Sequence, residues 1–244
     1  MIKAYAKTDI GKVREMNQDD YHISNSIDEV QLYMLADGMG GYKGGEIASN
    51  QAIQSAKSYI ENNFKEIEKD KDSIIQLLAS SMEYANMVVY EKSKENKELE
   101  GMGTTLEIVL IYNNKAYIGH IGDSRIYRIR KSFIRKLTQD HSYVQKLVKD
   151  GEITPEQAEH HPKKNMLMKA LGCNAFVEPD VMVKGFLKDD ILVICSDGLS
   201  NLVNQEEIYN IAKEDIEQAP KEFVNLANER GGYDNITVIV IKNI

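Results

Sequence analysis

Four aspartates lie where apolar, strand-like segments end or begin, and with a fifth candidate, Asp19, their carboxylates could bind metal ions. Asp37 follows an apolar run in "LADGMGG", Asp123 lies in "IGDSR", Asp197 in "ICSDGL", Asp234 in "GYDN", and Asp19 follows "VREMNQ". Each aspartate taken alone is typical of a turn or a helix cap, and Asp-Gly is a common turn signal. In "ADG" and "SDG", however, the glycine has no Cβ, so backbone carbonyls or water can approach an ion.

These aspartates are distant in sequence, but residues at strand ends can converge at one edge of a sheet. Carboxylates within a few ångströms repel one another and raise one another's pKa values unless a cation offsets their charge. Hard divalent cations such as Mg²⁺ and Mn²⁺ prefer oxygen ligands. The pattern therefore favours a divalent metal site built from aspartates.

Other reactive side chains fit alternative chemistries less well. Cys195 leads into "SDGLSN" with no arginine at the end of the loop, so we interpret it as a buried strand residue and not as a nucleophile. We interpret His120 as a packed histidine, His141 in "DHS" as a candidate for substrate contact, and His160 and His161 as exposed. The glycines of "DGMGGYKGG" match neither of the common phosphate-binding glycine motifs.

The composition is ordinary for a globular protein. The chain has 244 residues, of which 42% are hydrophobic and 28% are charged, and its formal net charge of -8 argues against broad binding to nucleic acid. No segment approaches the ~20 continuous apolar residues of a membrane span, and "MIKAYAKTDI" lacks the apolar core of a signal peptide. The two cysteines suggest no disulfide framework. We therefore expect a cytoplasmic protein with no membrane or nucleic-acid partner.

Eight short segments that are apolar or alternating and rich in β-branched residues are predicted as strands. They are "IKAYAKT", "VQLYMLA", "TTLEIVLIY", "KAYIGHIG", "RIYRIR", "VMVKGFL", "ILVICS" and "NITVIVI". Asn113 and Asn114 in "YNNK" tolerate left-handed conformations and predict a tight antiparallel hairpin. In "LADGMGG" the strand is expected to stop at Asp37, with Gly38 turning the chain.

Four segments have helical periodicity, at about 45–64, 72–94, 205–213 and 220–229. From Asp140 to Leu171 the pattern changes to short helical pieces, with a helix start at Thr154 and Pro155. No repeat, low-complexity tract or Gly/Ser linker marks a second domain. We therefore predict one α+β domain, residues 1–244, in which helices cover antiparallel sheets.

Taken together, the motifs resemble one family. "VREMNQDD", "LADGMGG", "GMGTT", "GHIGDSRIYRIR", "LTQDHS", "ALG", "ICSDGL" and "DNITVIV" occur in the order and at roughly the spacing of the bacterial metal-dependent serine/threonine protein phosphatases, the PPM or type 2C family. The resemblance covers essentially the whole chain. It implies a four-layer α-β-β-α sandwich with a binuclear metal centre at one end, and a flap subdomain at about 140–171 that borders the site.

The resemblance also implies a catalytic role for the core of the aspartate set. Asp37 would bridge two Mn²⁺ or Mg²⁺ ions, and Asp197 and Asp234 would complete the first ion's ligands. The carbonyl of Gly38 would help to hold the second ion.

Three further residues match peripheral positions of the family's site. Asp123 would match the aspartate associated with a third, weaker ion in bacterial members, and Asp19 would contact the metal centre directly or through water. Arg14 would bind the substrate phosphate, for which its planar, bidentate donor group is suited.

Two positions, 18 and 39, differ from residues that other members of the family have there. Gln18 stands where many relatives have glutamate, so this chain lacks that residue's charge near the second ion. Met39 stands where eukaryotic members have a histidine that is a candidate general acid, although bacterial members have methionine as here. The proton for the leaving group would then come from metal-bound water or from another residue.

The predicted activity is hydrolysis of phosphoserine and phosphothreonine in proteins. A water held between two divalent ions has a lowered pKa and would attack phosphorus in line, without a covalent phospho-enzyme. We expect a monomer whose partners are phosphorylated proteins, by resemblance a Ser/Thr kinase and its targets. Two alternatives stay open: an inactive scaffold of the same fold that binds phosphoproteins, and a phosphatase of small phosphoesters. Loss of Asp37, Asp197 or Asp234 would mark the scaffold, but all three are present.

Overall fold

Antiparallel strands form the centre of the protein, and the computed structural model describes residues 1–24 and 30–244. In this part of the chain the strands are β1 Ile2–Asp9, β2 Asp19–Ile23, β3 Gln31–Met39, β4 Gly103–Thr104, β5 Leu106–Tyr112, β6 Lys115–Ile121, β7 Arg125–Arg130, β8 Phe133–Lys136, β9 Asp180–Gly185, β10 Ile191–Cys195 and β11 Ile236–Asn243. One sheet has the order β1-β11-β10-β7-β8. The other has the order β2-β3-β5-β6-β9, with β4 paired to β3.

Helices cover the outer face of each sheet. Those in the described residues are α1 Gly41–Asn63, α2 Lys71–Glu95, α3 Tyr143–Lys149, α4 Pro155–Glu159, α5 Asp197–Ser200, α6 Gln205–Glu214 and α7 Ala219–Glu229, with a 3-10 turn at Lys97–Leu99. Apolar side chains of α1 and α2 pack on the sheet that contains β3, and those of α6 and α7 pack on the sheet that contains β11. The predicted α-β-β-α sandwich is confirmed.

The central strands β5, β10 and β11 are buried on both faces, which explains why they are apolar at most of their positions. On β10, Val193 and Cys195 pack towards α6 and α7, whereas Leu192 and Ile194 pack between the two sheets. Side chains alternate between the faces of a strand, so one strand contributes to two cores.

All eight predicted strands are present, but β2, β4 and β8 were missed. The sequence of β2, "DDYHI", is largely polar and only partly buried. Strand β8, "FIRK", is partly exposed at a sheet edge, and β4 has only two residues. Edge positions need less apolar surface than central ones, so their periodicity is weak.

The predicted turn and cap signals occur where the sequence placed them. Asn113 and Asn114 have φ angles of 47° and 57° and join β5 to β6 as an antiparallel hairpin. Thr154 caps α4 in a reciprocal capping box with Gln157, directly before Pro155. Among the described residues, no helix combines the length and the apolar character needed to cross a membrane.

Candidate metal centre

The five candidate aspartates converge at one end of the sandwich. Asp19 opens β2 and is the register partner of Asp37 on β3. Asp123 follows β6, Asp197 opens α5 directly after β10, and Asp234 precedes β11. The charges of the other four all raise the pKa of Asp37. The strand ends therefore bring together carboxylates that are far apart in sequence.

These carboxylates are poorly solvated. Burial raises the pKa of Asp37 well above its ordinary value, and Asp19 and Asp197 raise it further. The pKa of Asp123 is raised to about 7, mainly by burial and then by Asp197. The pKa of Asp197 is also raised, mainly by burial and then by the charge of Asp234. The cluster therefore holds more negative charge than its surroundings stabilise, a condition that cation binding would relieve.

Asp19 has one oxygen held by a hydrogen bond and one without a partner. The Ser196 hydroxyl donates to Asp19 Oδ2 over 2.9 Å, whereas Oδ1 is buried and has no hydrogen-bond partner among the described residues. Burial raises the pKa of Asp19 to about 7, although the neighbouring side chains of Thr237 and Ser196 lower it. An unpartnered carboxylate oxygen in an all-oxygen cluster fits a hard divalent cation.

The aspartates are neighbours, and they do not form a closed coordination shell. No group of three His, Cys, Asp or Glu side chains in the described part of the chain is arranged tightly enough to hold an ion. The fit to a divalent cation therefore depends on the donor chemistry and on the unpartnered oxygen of Asp19.

Gly38 lies within β3, so the prediction that the strand stops at Asp37 and turns at Gly38 is wrong. The strand continues to Met39, and the positive φ angles belong to Gly40 at 118° and Gly41 at 48°. A Cβ at position 38 would lie 2.1 Å from the carbonyl oxygen of Gly45. Glycine is required here because the N-terminal part of α1 and the carbonyl of Gln18 both approach the strand closely.

Gln18 forms hydrogen bonds on both sides of the contact between β3 and α1. Its Nε2 donates to the carbonyl of Gly41 over 3.0 Å, and its backbone N–H donates to Asn235 Oδ1 over 2.8 Å. A Cβ at Gly45 would lie 2.8 Å from Gln18 Oε1. The amide at position 18 thus connects the aspartate-bearing strands to the start of α1.

Arg14 lies at the rim of the aspartate cluster, in the loop between β1 and β2. Its Nη2 donates to Asp234 Oδ2 over 2.7 Å, and the hydrogen bond and charge of Asp234 raise the pKa of the guanidinium. The Arg14 side chain is 52% exposed, so it is accessible to a ligand that approaches from solvent.

Asn235 and Ser196 support the cluster but were missed as functional residues. Asn235 Nδ2 donates to the carbonyls of Ile10 and Met16, each over 2.9 Å, which fixes both ends of the loop that carries Arg14. Both residues are direct neighbours of candidate ligands, in the motifs "SDG" and "DN". That adjacency is the signal that could have identified them.

The buried residues His120 and Cys195 lie where the sequence predicted. Cys195 is fully buried, and burial raises the pKa of its thiol to about 12. His120 is also fully buried, with Nδ1 2.6 Å from Glu107 Oε1 and Nε2 2.9 Å from the carbonyl of Gln139. Burial lowers the pKa of His120, but the Glu107 charge and hydrogen bond outweigh burial and raise it to about 9.

A cleft of about 840 Å³ connects the aspartates to the segment predicted as a flap. Asp123 and Asp197 line one part of it, and Pro155, His160 and Lys164 line another. His141 packs against the His120 ring, with a centroid distance of 4.5 Å. Its Nδ1 accepts a hydrogen bond from the backbone N–H of Gly122 over 3.1 Å.

Sequence comparison finds relatives that match nearly the whole chain. Residues 12–237 match the family described as protein phosphatase 2C. The serine/threonine phosphatase Stp of Listeria monocytogenes serotype 4b is 35% identical over 245 residues, which are 99% of this chain and 96% of that protein.

Solved structures with the same architecture are also known. The serine/threonine phosphatase of S. agalactiae superimposes with a TM-score of 0.91 and 35% identity, and the match covers 100% of both chains. The catalytic domain of the phosphatase PstP, in complex with two manganese ions, superimposes with a TM-score of 0.86 and 32% identity over 99% of this chain and 97% of that one.

Proposed function

Because the chain belongs to the protein phosphatase 2C family and is a metal-dependent serine/threonine phosphatase, we propose that its aspartate cluster is the catalytic metal centre. The observation that carries the proposal is the convergence of partly buried, mutually repelling carboxylates with an unpartnered oxygen on Asp19. Asp37 would lie between two ions, with Asp197 and Asp234 on the first and the Gly38 carbonyl on the second. Asp19 would contact the centre directly or through water.

Mn²⁺ is the ion best supported by the relatives, since the similar PstP domain was solved with two manganese ions. Mg²⁺ prefers the same oxygen donors and would compete for the site. A third, weaker ion would lie at Asp123, whose carboxyl is partly buried and is close enough to Asp197 for the two charges to repel. When bound, divalent cations supply a nucleophile from water near neutral pH and offset charge on the phosphoryl group.

The chain's own residues would bind and orient the phosphorylated side chain. Arg14 would donate to the phosphoryl oxygens in a bidentate manner, and its existing bond to Asp234 holds the guanidinium at the rim of the site. Met39 would not protonate the leaving oxygen, because a thioether has no proton to donate.

The substrates of this phosphatase are phosphorylated proteins, and we propose a Ser/Thr kinase and its targets among them. We also propose a monomer made of one domain, residues 1–244, in which residues 140–171 act as the flap. The lining of the cleft by residues from this segment supports the flap assignment. A cytoplasmic location is part of the proposal, and the free thiols of Cys173 and Cys195 suit a reducing compartment.

The test compares phosphate release from a phosphothreonine peptide with Mn²⁺, with Mg²⁺ and with a chelator. We expect release only with a divalent cation, and parallel assays on a small phosphoester would measure the preference for peptides. Equal turnover in the chelator would overturn the metal-centre assignment. Efficient hydrolysis of the small phosphoester alone would instead overturn the substrate class.

A further inference from the structure

Thr105, from the "GMGTT" motif, fixes the backbone of Asp37 through two hydrogen bonds. The backbone N–H of Asp37 donates to Thr105 Oγ1 over 2.9 Å, and the backbone N–H of Thr105 donates to the carbonyl of Asp37 over 2.9 Å. Thr104 adds a third bond, from Oγ1 to the same carbonyl over 2.9 Å. The position of Asp37 is therefore tied to the two threonines before β5.

The same Thr105 hydroxyl reaches the residue after Asp123. Thr105 Oγ1 and Ser124 Oγ are 2.9 Å apart, and the two side chains are 2% and 0% exposed. Because Thr105 Oγ1 accepts the Asp37 N–H, its own proton remains free for Ser124. One hydroxyl pair thus joins the strand of Asp37 to the loop of Asp123.

The loop that carries Asp123 also packs around the Thr105 side chain. Gly122 has a φ angle of 114°, and a Cβ there would lie 2.4 Å from Thr105 Cγ2. On its other side, Gly122 is held by His141, whose backbone N–H donates to the Gly122 carbonyl over 2.7 Å. Asp123 therefore lies between two residues, Gly122 and Ser124, that are both held by contacts to other segments.

We propose that the hydroxyl pair of Thr105 and Ser124 is a positioning link that sets the place of Asp123 relative to Asp37. The link thereby controls how tightly the Asp123 end of the centre binds a divalent cation. The inference rests on the proposed function, in which both aspartates hold ions. Residues that orient ligands through hydrogen bonds typically change metal affinity by about 10- to 100-fold when they are lost.

The test measures Mn²⁺ binding by calorimetry in the absence of substrate. Ser124→Ala removes the link but leaves the bond between Thr105 and Asp37, so we expect the weaker binding event to lose about tenfold in affinity while the tighter event is unchanged. Thr105→Val, which also removes the acceptor for the Asp37 N–H, should weaken both events. Thr105→Ser keeps the hydroxyl and should bind Mn²⁺ like the wild type.

Asp123→Ala shows which Mn²⁺ binding event belongs to Asp123, because this variant should lose the weaker event. If Asp123→Ala loses no binding event, or if Ser124→Ala titrates like the wild type, the link has no such role and the inference fails. If Thr105→Val does not fold, the comparison of Ser124→Ala with Thr105→Ser decides the question. Unchanged Mn²⁺ binding in Asp37→Ala would be a separate result, since it would overturn the proposed metal centre itself.

A kinetic measurement separates positioning from a general loss of structure. With Ser124→Ala, the Mn²⁺ concentration for half-maximal turnover of a phosphothreonine peptide should rise about tenfold, while KM for the peptide at saturating Mn²⁺ stays the same. A rise in KM with unchanged Mn²⁺ dependence would contradict the inference, because it would place Ser124 in substrate binding.

Discussion

Arg14 and Asp234 form an ion pair in which Arg14 Nη2 lies 2.7 Å from Asp234 Oδ2. The two side chains are 52% and 35% exposed, so the pair contributes little to the free energy of unfolding, about 1 kcal/mol or less. Its consequence is geometric. It holds a bidentate donor beside the carboxylates, where a phosphoryl group would have to bind.

Replacing Arg14 with alanine should therefore raise KM for a phosphothreonine peptide about tenfold, the effect of losing roughly 1.4 kcal/mol of binding. Arg14→Lys should recover only part of the loss, because an ammonium group cannot bind two oxygens in a fixed plane. Steady-state kinetics at saturating Mn²⁺ measure the effect, with Mn²⁺ titration as the control. An unchanged KM would show that Arg14 does not bind the phosphate.

Loss of any one core aspartate should remove activity. Asp37→Ala, Asp197→Ala and Asp234→Ala should each lower turnover by about 100-fold or more. Loss of a residue that only hydrogen-bonds to a metal ligand already lowers metal affinity or activity by about 10- to 100-fold. Circular dichroism should show that the variants remain folded, because each change removes a repelling charge from the cluster. Near-normal rates in all three variants would contradict the assignment.

The stability of the metal-free protein should depend on pH. Folding raises the pKa of Asp19 and of Asp123 from 3.8 to about 7, so the folded state binds these protons more tightly than the unfolded state. The free energy of unfolding should therefore fall as pH rises from about 4 to about 7. Thermal melting in a chelator measures this, and added Mn²⁺ should stabilise most above pH 7. A metal-free protein that is equally stable at pH 5 and pH 8 would contradict the expectation.

Breaking the buried pair of Glu107 and His120 should lower the free energy of unfolding substantially. His120→Leu would leave the Glu107 carboxyl fully buried without its partner, and Oε2 already has no hydrogen-bond partner among the described residues. We expect a loss of about 3–5 kcal/mol in the free energy of unfolding. The double variant Glu107→Leu/His120→Leu should lose less, because it leaves no unpaired carboxyl group in the core and only the Gln139 carbonyl loses its partner. Urea denaturation of both variants tests this, and a double variant no better than the single would contradict it.

Gly38 and Gly185 are both strand glycines, but only Gly38 is crowded. Gly38→Ala should destabilise the protein by about 2–3 kcal/mol or more, because its Cβ would lie 2.1 Å from the Gly45 carbonyl oxygen. Gly185→Ala is the matched control, since its Cβ would meet only Arg130 Nη2 at 3.8 Å. Urea denaturation should show Gly185→Ala within about 1 kcal/mol of the wild type. Similar losses in the two variants would show that crowding at Gly38 is not the cause.

Much of the fold could be predicted from local patterns. Period-two and fully apolar runs identified the eight central or long strands, and helical stripes identified α1, α2, α6 and α7. The edge strand β8 and the polar strand β2 gave no such pattern, because they bury too little apolar surface. Their pairing is decided by neighbouring strands and not by their own composition.

The element types, the family motifs and the identity of the candidate ligands could be predicted without the fold, because they depend on residue type and short spacing. Which of these residues meet is set by the three-dimensional fold. Arg14 and Asp234 are 220 residues apart, and Thr105 and Ser124 come together only because β5 and β6 form a hairpin. The fold also explains why position 38 must be glycine, since the crowding comes from α1 and from the carbonyl of Gln18. Such contacts depend on strand order and on the approach of helix to sheet, which side-chain periodicity does not encode.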